Sequence, residues 1–591
     1  MRVARLEIER FRGFEAFELL PRDNVLAVGE PRAGRSDLIA ALRRVLDPRT
    51  IQARPNEWDV YRPLPEIDDD DADDNEIDED DEDDEDEHST ALTSIKVSLL
   101  DLSEAQQQNL DERLELLDPT TGLAVDSEDP EAELGIRLAY CLRYDRDEEQ
   151  LEHWLEYPKS GQRVPRAERE ALKAVVLERN PPLQLRAEGQ LRRLATEQDA
   201  AALTHTLQQF ADDIATATSD LAASAEIQAA LGEVLGEGPQ QLLDLDRSDP
   251  TAAVGFTAED GSLAALLRAV QPTLNLDDAT GGLPLSAHGS TTLAIFAAAE
   301  AAALAESDDA IILADDFGDQ LDAAAVEYLA FRLRNRSGQV WLTTRRAEAV
   351  GAFEAAELLR LTRHTGTRLS FQLTEGADRK ERLRRRHLST LLAPAMSAPI
   401  VALVEGPHDH ETYLAIDRRR ATRFGKPPLS GRGIRLIRSS ASGGEGGKSE
   451  LPKLAKLAVA LGFEVNVILD HDKPGTDDDL IAELRALCEL VVRLPERVAI
   501  ERAIVNGLSP DVLRQVLEVL NDEHELGLTV EDIDDDLPAA CVKALKQKGG
   551  LHRLFVDLLP RRVMPPLAEN VLEQLGQAAP FGEPLITLTD V

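Results

Sequence analysis

The chain has 591 residues, 43% of them hydrophobic, and a formal net charge of −45 at pH 7. This length exceeds one ordinary domain and predicts two or three, each with enough apolar residues for a core. No run of about 18 uncharged apolar residues predicts a membrane span, and the charged start MRVARLEIERFRGF lacks a signal-peptide core, so we expect a cytoplasmic protein with no membrane partner. Cys141, Cys488 and Cys541 lack metal-ligand spacing and are expected to be buried reduced thiols.

The negative charge is unevenly distributed. Residues 66–87 contain 18 acidic residues in 22 and no basic residue, so we predict a disordered, solvated insertion over 66–88. Residues 379–448 have the opposite bias, with 15 Lys and Arg against 6 Asp and Glu. Most charge runs are only solvated faces, but this reversal from acidic to basic is a reasonable footprint for the phosphate backbone of DNA.

The N-terminal elements predict an α/β domain over 1–375. RVARLEIERF and NVLAVG predict strands, SDLIAALRRVL predicts a helix, and SIKVSLLDL predicts another strand after the acidic run. Residues from about 165 to 240 have helical spacing and predict a helical insertion. Apolar runs at 310–314 and 339–345 then predict two further buried strands, so strands and helices alternate on both sides of the insertion.

The loop after NVLAVG has phosphate-binding spacing. Gly29, Gly34 and Ser36 match G-x-x-x-x-G-K-[S/T], but Arg35 occupies the lysine position. The alternative interpretation is a plain glycine turn between a strand and a helix. Loop amides and a helix N-terminus attract phosphate without the lysine, whereas arginine presents a bulkier planar fork than a lysine ammonium. We therefore expect ATP to bind here and to be hydrolysed slowly, if at all.

Three later segments strengthen the prediction of a nucleotide site. AIILADD places Asp315 and Asp316 at the end of an apolar strand, where acids support Mg²⁺. LPLSAHGSTTLAIF contains an S-x-x-G pattern at Ser286 and Gly289. WLTTRR ends the next strand with Arg345. Four motifs in this order are a stronger indication than the loop alone.

The alternation of strands and helices restarts after a basic linker at 376–397. IVALVE, IRLIRS, EVNVILD and ELVVRLP predict strands separated by helices. This pattern predicts a second α/β domain over 398–550, followed by a helical tail over 551–591.

Carboxylates follow two of these predicted strands. Glu405 ends the first, Gly406 allows a tight turn, and Asp409 comes about one helical turn later. VILDHDKPG ends another strand with Asp470 and Asp472, alternating residues that share one face. Such carboxylates would repel one another without a cation, and oxygen-only ligation suits Mg²⁺ or Mn²⁺. The alternative is a set of surface acids at loop entries.

The segment SGGEGGKS at 442–449 looks like a second phosphate-binding loop. Ser442 stands where the first glycine of that pattern should be. Two interpretations stay open, a second nucleotide site and a flexible loop near the path of DNA phosphates, and the sequence favours the second.

The order of the N-terminal motifs resembles the ABC/SMC-like ATPases, and specifically the overcoming-lysogenisation-defect (OLD) family of ATPase–nuclease proteins. The resemblance rests on the FRGFE strand pair, the loop, the helical insertion, S-x-x-G, the acidic strand end and WLTTRR. It implies a signature loop at S-x-x-G, a Walker B pair at the acidic strand end, and Mg²⁺ near Ser36 and Asp315. Three positions depart from the family: Arg35 replaces Lys, Asp316 replaces Glu, and Arg345 replaces His.

The C-terminal pattern resembles a Toprim domain, the Rossmann-like α/β metal-binding module of topoisomerases, primases and OLD nucleases. The resemblance implies two divalent ions that activate a water and neutralise the leaving 3′-oxygen. The implied catalytic and metal-binding residues are Glu405, Asp409, Asp470, Asp472 and Glu501 (in LPERVAIERAI), with a charge-compensating Lys548 (in ALKQKGG) for which Lys543 and Lys546 are alternatives.

The two resemblances together imply a Mg²⁺-dependent DNA endonuclease in defence against phage or foreign DNA. They imply a homodimer or dimer of dimers formed through the helical insertion, with room for an accessory defence protein. We expect Arg418, Arg419, Arg420 and the basic segment 379–387 to hold the DNA backbone. The alternative is a RecF- or SMC-like DNA-binding regulator in which neither site is catalytic.

Overall fold

The computed structural model describes most of the chain. The described residues are 1–21, 23–62, 92–126, 129–145, 150–172, 174–177, 182–186, 189–234, 251, 262–274, 282–308, 310–336, 338–364, 367–440, 447–471, 475–526, 536–547, 550–577 and 584–589. The predicted acidic insertion 66–88, Asp472 and Lys548 fall outside these ranges.

The contacts divide the chain into two units. Unit one comprises Met1–Leu172, Leu313–Asp319 and Gln339–Val591, and unit two comprises Lys173–Ile312 and Gln320–Gly338. No described helix is long and apolar enough to cross a membrane.

Both strands and helices are plentiful, which confirms the predicted α/β class. The strands in chain order are β1 (Arg2–Phe11), β2 (Phe14–Leu19), β3 (Val25–Gly29), β4 (Thr93–Leu100), β5 (Glu115–Leu117), β6 (Glu133–Asp145), β7 (Gln150–Tyr157), β8 (Gln162–Arg163), β9 (Ala174–Leu177), β10 (Thr273–Leu274), β11 (Leu283–Pro284), β12 (Ile311–Ala314), β13 (Gln339–Thr343), β14 (Leu358–His364), β15 (Thr367–Gln372), β16 (Ile400–Val404), β17 (Ile434–Arg438), β18 (Glu464–Leu469), β19 (Leu490–Arg493) and β20 (Leu585–Thr587).

The α-helices in chain order are α1 (Arg35–Leu46), α2 (Pro48–Gln52), α3 (Glu104–Asn109), α4 (Arg166–Ala171), α5 (Gln190–Ala223), α6 (Ala225–Val234), α7 (Leu263–Ala269), α8 (Ser290–Asp308), α9 (Ala323–Arg336), α10 (Ala347–Val350), α11 (Arg379–Leu392), α12 (Pro407–Phe424), α13 (Gly447–Ala460), α14 (Asp478–Leu487), α15 (Ile500–Val505), α16 (Pro510–His524), α17 (Leu537–Gln547), α18 (Leu551–Leu558) and α19 (Pro566–Gln574).

The first sheet of unit one is antiparallel and has the order β2-β1-β4-β6-β7-β8, with β5 beside β6. Its strand β1 shows why the sequence predicts it: Leu6 and Ile8 are fully buried, while the intervening Glu7 and Glu9 face solvent at least partly. This alternation is what a pleated strand with one buried face requires.

The second sheet carries the phosphate-binding loop. Within unit one its strand order is β15-β14-β3-β13-β12, and β12 contributes Leu313 and Ala314 to this unit. Strand β3 lies at the centre, is buried along its whole length, and runs parallel to both β13 and β14. The carboxyl ends of these parallel strands therefore bring the loop after Gly29 to the same edge as Thr343 and Asp315.

The third sheet is parallel throughout and has the order β17-β16-β18-β19-β20. Because β16 comes first in the chain but has neighbours on both sides, the chain leaves it in opposite directions. The carboxyl end of the gap between β16 and β18 is therefore a topological switch point, the place where open α/β sheets bind ligands. The predicted helical tail is wrong at Leu585–Thr587, a strand too short to show any periodicity in sequence.

Helix α5 dominates the described part of unit two. Its 34 residues form two helical stretches separated at Asp199, whose φ of −161° and ψ of 96° are not helical, and Leu207 is its only buried side chain. The predicted helical insertion is therefore helical from Gln190 onward, but β9 occupies part of its predicted start. The predicted basic linker is also largely helical, since it contains α11, whose N-terminus is capped by Asp378.

A buried arginine joins the second and third sheets. The side chain of Arg360, on β14, has no solvent exposure and approaches Oε1 of Glu30 at 3.2 Å. Its guanidinium also lies 3.6 Å from the centroid of the Phe463 ring. It donates hydrogen bonds to the carbonyls of Met396 (3.3 Å), Ala398 (2.8 Å), Leu461 (2.8 Å) and Gly462 (2.7 Å). The residue after Gly29 is thus connected through one side chain to the segments that lead into β16 and β18.

Candidate functional sites

Two glycines of the N-terminal loop are required by its shape. Gly29 has φ 139°, and a Cβ there would lie 1.9 Å from the carbonyl oxygen of Leu361. Gly34 has φ 99°, and a Cβ there would lie 2.6 Å from Nη1 of Arg368 and 2.7 Å from Cζ of Phe14. No other residue fits either position without displacing its neighbours. The tight strand–loop–helix turn that the spacing predicts is therefore present.

The hydroxyl and the first acid of the predicted nucleotide site meet. Ser36 Oγ donates to Oδ1 of Asp315 at 3.1 Å, and Thr343 Oγ1 donates to the same oxygen at 2.6 Å. In P-loop enzymes, Mg²⁺ is held by a loop Ser or Thr and by an Asp at the end of a neighbouring strand. The pair Ser36–Asp315 has the donor chemistry for that ion.

Arg35 does not take the place of the missing lysine. Its Nη1 donates to the backbone carbonyl of Thr344 at 2.8 Å, at the end of β13. Burial lowers the pKa of Arg35, while the nearby carboxylate of Asp316 acts in the opposite direction. The guanidinium thus has a backbone partner at this edge of the sheet.

The remaining two altered positions are paired with each other. Arg345 Nε lies 3.9 Å from Oδ1 of Asp316, and Arg345 Nη2 forms an ion pair with Asp319. The contact with Asp319 raises the pKa of Arg345. Asp316 has a positive φ of 49°. A carboxylate that polarises the attacking water must be reachable by that water, and here the Arg345 guanidinium lies beside it.

A cavity of about 980 Å³ adjoins the loop. Six arginines line it: Arg12, Arg32, Arg35, Arg62, Arg363 and Arg368. Its volume is at the upper end of the range for small-molecule sites, and its cationic wall suits a polyphosphate. Sequence reasoning missed these arginines apart from Arg35, because they come from distant segments and no local pattern connects them.

The predicted signature residues belong to unit two, whereas the loop belongs to unit one. Ser286 Oγ lies 3.3 Å from Oε1 of Gln271, within hydrogen-bonding distance. Gly289 precedes helix α8, and a Cβ added there would have no other atom within 4 Å.

The C-terminal carboxylates are brought together at the switch point of the third sheet. Glu405 directly follows β16 and Asp470 directly follows β18, and the Asp470 amide donates to Oε1 of Glu405 at 3.2 Å. Asp409 lies in the first turn of helix α12, where its Oδ2 accepts from the Gly406 amide at 2.8 Å. Asp470 Oδ2 accepts from the Ile500 amide at 3.3 Å, next to Glu501.

The charges of this cluster act on one another. Burial and the charges of Asp409 and Glu405 raise the pKa of Asp470 well above its usual range. Burial and the charge of Glu501 raise the pKa of Asp409, although the Gly406 amide opposes the shift. Burial would raise the pKa of Glu501, but contact with His552 and the charge of Lys546 lower it. The four carboxylates thus form one electrostatic unit.

A buried hydroxyl lies in the same environment. Tyr413 is 1% exposed, and its Oη has no hydrogen-bond partner among the described residues. Burial and the charges of Asp470, Asp409 and Glu405 raise its pKa well above the usual range. A buried hydroxyl without a partner indicates room for a further polar group.

The donor chemistry of the cluster fits a hard divalent cation, because carboxylate and hydroxyl oxygens are the ligands that Mg²⁺ and Mn²⁺ prefer. Among the described residues, no three His, Cys, Asp or Glu side chains are grouped so that they could already hold a metal ion. Asp472, one of the predicted ligands, lies outside those residues. The described part therefore supplies an incomplete ligand set.

Sequence reasoning missed one cation of this site. Lys448, at the start of α13, places Nζ 3.9 Å from Oε1 of Glu405 and 2.8 Å from Oδ2 of Asp477. The same Nζ donates to the backbone carbonyl of Asp470 at 3.0 Å. The signal in the sequence is the lysine of SGGEGGKS, a segment for which the sequence favours a loop near the path of DNA phosphates. Residues 442–446 of that segment lie outside the described residues.

The predicted DNA-holding arginines are partly wrong. Arg419 is 7% exposed and donates to four backbone carbonyls, among them those of Val563 and Leu559 at 2.8 and 2.9 Å. Arg420 is 3% exposed and lies near Asp417. Both stabilise the packing of α12, and Arg418 alone of the three is exposed. Three adjacent residues of a helix cannot share one face, which is the physical reason for the error.

The basic segment 379–387 forms most of α11. Three of its arginines are paired with acids: Arg382 with Glu375, Arg385 with Glu381, and Arg386 with Glu354. Arg379, Lys380 and Arg384 are exposed and form its cationic surface.

Comparison with known proteins found similarity among solved structures. No protein-family model matches the chain, and no curated protein matches it either. It is similar to the SMC head solved in complex with the C-terminal winged-helix domain of ScpA, at 13% identity and a TM-score of 0.34, over 63% of this chain and 98% of that one. It is also similar to the SMC head domain from Thermotoga maritima, at 11% identity and a TM-score of 0.28, over 63% and 100%. Both TM-scores lie under 0.5, so the chemistry of this chain has to follow from its own geometry.

Proposed function

We propose that the chain is a divalent-metal-dependent DNA endonuclease with an ABC-like, weakly active nucleotide-binding domain. One observation carries the proposal: Glu405 and Asp470 end two adjacent parallel strands at the switch point of the third sheet, and their charges act on each other. Acids at a solvent-exposed surface would lie apart in water, whereas burial, together with repulsion from neighbouring carboxylates, raises the pKa of Asp470 and of Asp409.

Each carboxylate has a separate support in the chain. The Asp470 amide orients Glu405, the Gly406 amide orients Asp409, and the Ile500 amide orients Asp470. The proposed metal ligands are Glu405, Asp409, Asp470, Asp472 and Glu501, with Lys548 as the proposed charge-compensating residue. Bound Mg²⁺ or Mn²⁺ supplies an activated water and stabilises the leaving oxygen of a phosphodiester. The protein's own contribution is to hold these oxygens in place and to keep cations close to them.

The proposed substrate is DNA, held by its backbone. The exposed Arg379, Lys380, Arg384 and Arg418 supply charge without base-reading geometry. Binding should therefore depend on salt rather than on sequence. Defence against foreign DNA, with or without an accessory protein, is the biological role that the OLD-like motif order favours.

Plasmid cleavage tests the nuclease directly. The wild type should nick or cut plasmid DNA with Mg²⁺, and Glu405→Ala or Asp470→Ala should reduce cleavage by orders of magnitude while DNA retention persists. Glu411→Ala is the matched control, because Glu411 is an exposed carboxylate on the same helix as Asp409. Undiminished Mg²⁺-dependent cleavage by either site variant would falsify the assignment.

A second candidate function follows from the N-terminal site. Arg345 is paired with Asp316 and Asp319, and Arg35 binds the Thr344 carbonyl. These contacts favour a nucleotide-sensing DNA-binding regulator that does not turn over ATP. DNA binding by the wild type without cleavage under any divalent ion would support this alternative.

ATP turnover separates the two interpretations of the N-terminal domain. We propose that ATP binds at Gly29–Ser36, with Mg²⁺ near Ser36 and Asp315, and is hydrolysed slowly or not at all. Brisk ATP hydrolysis that Asp316→Ala abolishes would contradict this proposal.

A further inference from the structure

The carboxylate cluster contains a cation of its own, Lys448. Its side chain is 22% exposed, and the Glu405 and Asp477 side chains beside it are 19% and 17% exposed. The ammonium is closer to Asp477, at 2.8 Å, than to Glu405, at 3.9 Å. One positive charge therefore lies between a proposed metal ligand and the acid that immediately precedes helix α14.

The position of Lys448 is fixed from both sides. Ser439 Oγ bonds both the carbonyl of Glu405, at 2.7 Å, and the carbonyl of Gly447, at 3.2 Å. The backbone before Lys448 is thereby connected to the backbone of Glu405, and Nζ itself bonds the Asp470 carbonyl at 3.0 Å. The main chain before this lysine is thus connected to the end of β16, and its ammonium is bonded to the end of β18. A lysine at an unstructured surface would not have both connections.

A compact ammonium among carboxylates has two effects. It lowers the repulsion between the acids, because opposite charges a few ångströms apart attract strongly in a partly buried site. It also repels any second cation that enters. The same residue thus stabilises the cluster without metal and opposes metal binding.

We propose that Lys448 is a positioning residue of the candidate metal centre, whose ammonium compensates Glu405 and fixes the Asp470 strand end until a divalent cation binds. This inference rests on the proposed metal centre. Asp477 has a role within it: it holds the ammonium at 2.8 Å, closer than the 3.9 Å that separates the ammonium from Glu405. Lys448 is distinct from the predicted Lys548, which comes much later in the chain.

Mn²⁺ binding to the full chain tests the proposal without reference to cleavage. The electron paramagnetic resonance signal of free Mn²⁺ is followed during titration, and the share of this site is the binding lost in Glu405→Ala, since the acidic run 66–87 contributes equally to all variants. Lys448→Met should tighten binding at this site roughly tenfold, because a like charge has been removed a few ångströms from the ion. Asp477→Asn should weaken it several-fold, roughly by the same reasoning in reverse.

Two variants serve as controls. Lys448→Arg keeps the charge and should leave Mn²⁺ affinity near that of the wild type. Lys453→Met removes a charge one or two turns further along α13, where the lysine pairs with Glu450, and should also leave the affinity unchanged. Neither control replaces a proposed metal ligand.

The failures are distinguishable. If the wild type shows no Glu405-dependent Mn²⁺ binding, the metal centre itself is wrong. If it binds but Lys448→Met binds equally or more weakly, the positioning role is wrong and the lysine is only structural. The Asp477→Asn titration decides the matter if Lys448→Met does not fold, since an unchanged or tighter affinity there overturns the proposal.

Discussion

Asp470 occupies a position that lowers the stability of the fold. Its carboxylate is surrounded by protein and by the like charges of Asp409 and Glu405, which raise its pKa well above the usual range. Because the folded pKa lies above the unfolded one, Asp470 lowers the stability of the fold at neutral pH, and this penalty shrinks as the pH falls from the folded pKa and is gone below the unfolded pKa. Such a residue is retained for chemistry rather than for packing.

Asp470→Asn should therefore stabilise the protein while abolishing cleavage. We expect the free energy of unfolding at pH 7 to rise by about 1–3 kcal/mol, because a buried like charge is removed while the oxygen that faces the Ile500 amide is kept. Urea unfolding without divalent ions measures the change. Glu411→Gln, at an exposed site, should change stability by less than about 0.5 kcal/mol, and a destabilised Asp470→Asn would contradict the argument.

The three cysteines should be unreactive in the native protein. Burial raises the pKa of Cys141 to about 11 and those of Cys488 and Cys541 to about 12. At pH 8 the reactive thiolate is then a minute fraction of each. A chromogenic disulfide reagent should label none of the three within minutes in buffer and all three in denaturant. Rapid native labelling of one equivalent would show that a thiol is open to solvent.

Arg35→Lys should strengthen nucleotide binding. A lysine at this position restores the residue that reaches the β- and γ-phosphates in P-loops, and it releases the Thr344 carbonyl that Arg35 now binds. We expect the affinity for a fluorescent ATP analogue to increase several-fold, on the order of 1 kcal/mol for one charge-assisted hydrogen bond. Arg32→Lys, in the same loop, is the control and should change it little. A weaker affinity in Arg35→Lys would show that the arginine itself binds phosphate.

At the scale of elements, most of the surface of helix α5 is not packed against other described residues. Among its 34 residues only Leu207 is buried, and Leu221 is 51% exposed. A helix of this length in water is stabilised mainly by packing along one face. Together with the dimerisation that the OLD-like pattern implies, this exposure favours a second copy of the chain as the packing partner.

We therefore expect a particle of at least twice the 64.8 kDa of one chain. Light scattering at micromolar concentration measures it, and Leu221→Asp should shift the distribution towards monomer by placing a charge in the contact. Leu134→Asp, at an exposed leucine of β6, is the matched control and should leave the mass unchanged. A stable mass near that of one chain for the wild type rules the dimer out.

Elements were predictable where several apolar residues in succession fix the periodicity. Strands β3, β16 and β18 are nearly continuous buried runs, and the structure places them where the sequence predicts them. Strand β20 was missed because three residues cannot display a period. The sequence predicts a linker where helix α11 lies, because its many charged residues outnumber the apolar ones and leave little apolar periodicity. Leu388 and Leu392 are nevertheless buried in this helix.

The site was predictable only where residues follow the ends of strands. Glu405 and Asp470 could be paired because parallel strands end at one edge of a sheet. Lys448 could not, since its approach depends on how the helix after a glycine-rich segment is oriented. The sequence predicts a DNA contact for Arg419 because the identity of a residue does not show whether its side chain will be buried among backbone carbonyls, as this one is.

At the scale of the whole unit, we expect the loss of the Arg360 contacts to destabilise more of the unit than the loss of a contact within one sheet. Burial lowers its pKa to about 10, so it is still charged at neutral pH, and Glu30 is the acid beside it. Removing one partner of a buried pair leaves the other charge uncompensated.

Glu30→Gln should therefore destabilise unit one by roughly 3 kcal/mol. Thermal unfolding measures the loss, and we expect one transition for this unit rather than separate melting of its sheets. Glu375→Gln, which removes the acid of an exposed pair with Arg382, should have little effect. Two resolved transitions in unit one would show that Arg360 does not bind its sheets into one cooperative body.

The same arginine connects the two candidate sites physically, and we predict that it couples them thermodynamically. Glu30 directly follows Gly29 of the nucleotide loop, while Ala398 and Leu461 precede the strands that end at Glu405 and Asp470. If bound nucleotide displaces Glu30 and thereby changes the affinity for Mn²⁺ by some factor, Mn²⁺ must change the affinity for nucleotide by that same factor. Titrating each ligand in the presence of the other measures this reciprocity, and Arg360→Met should bring both factors to one.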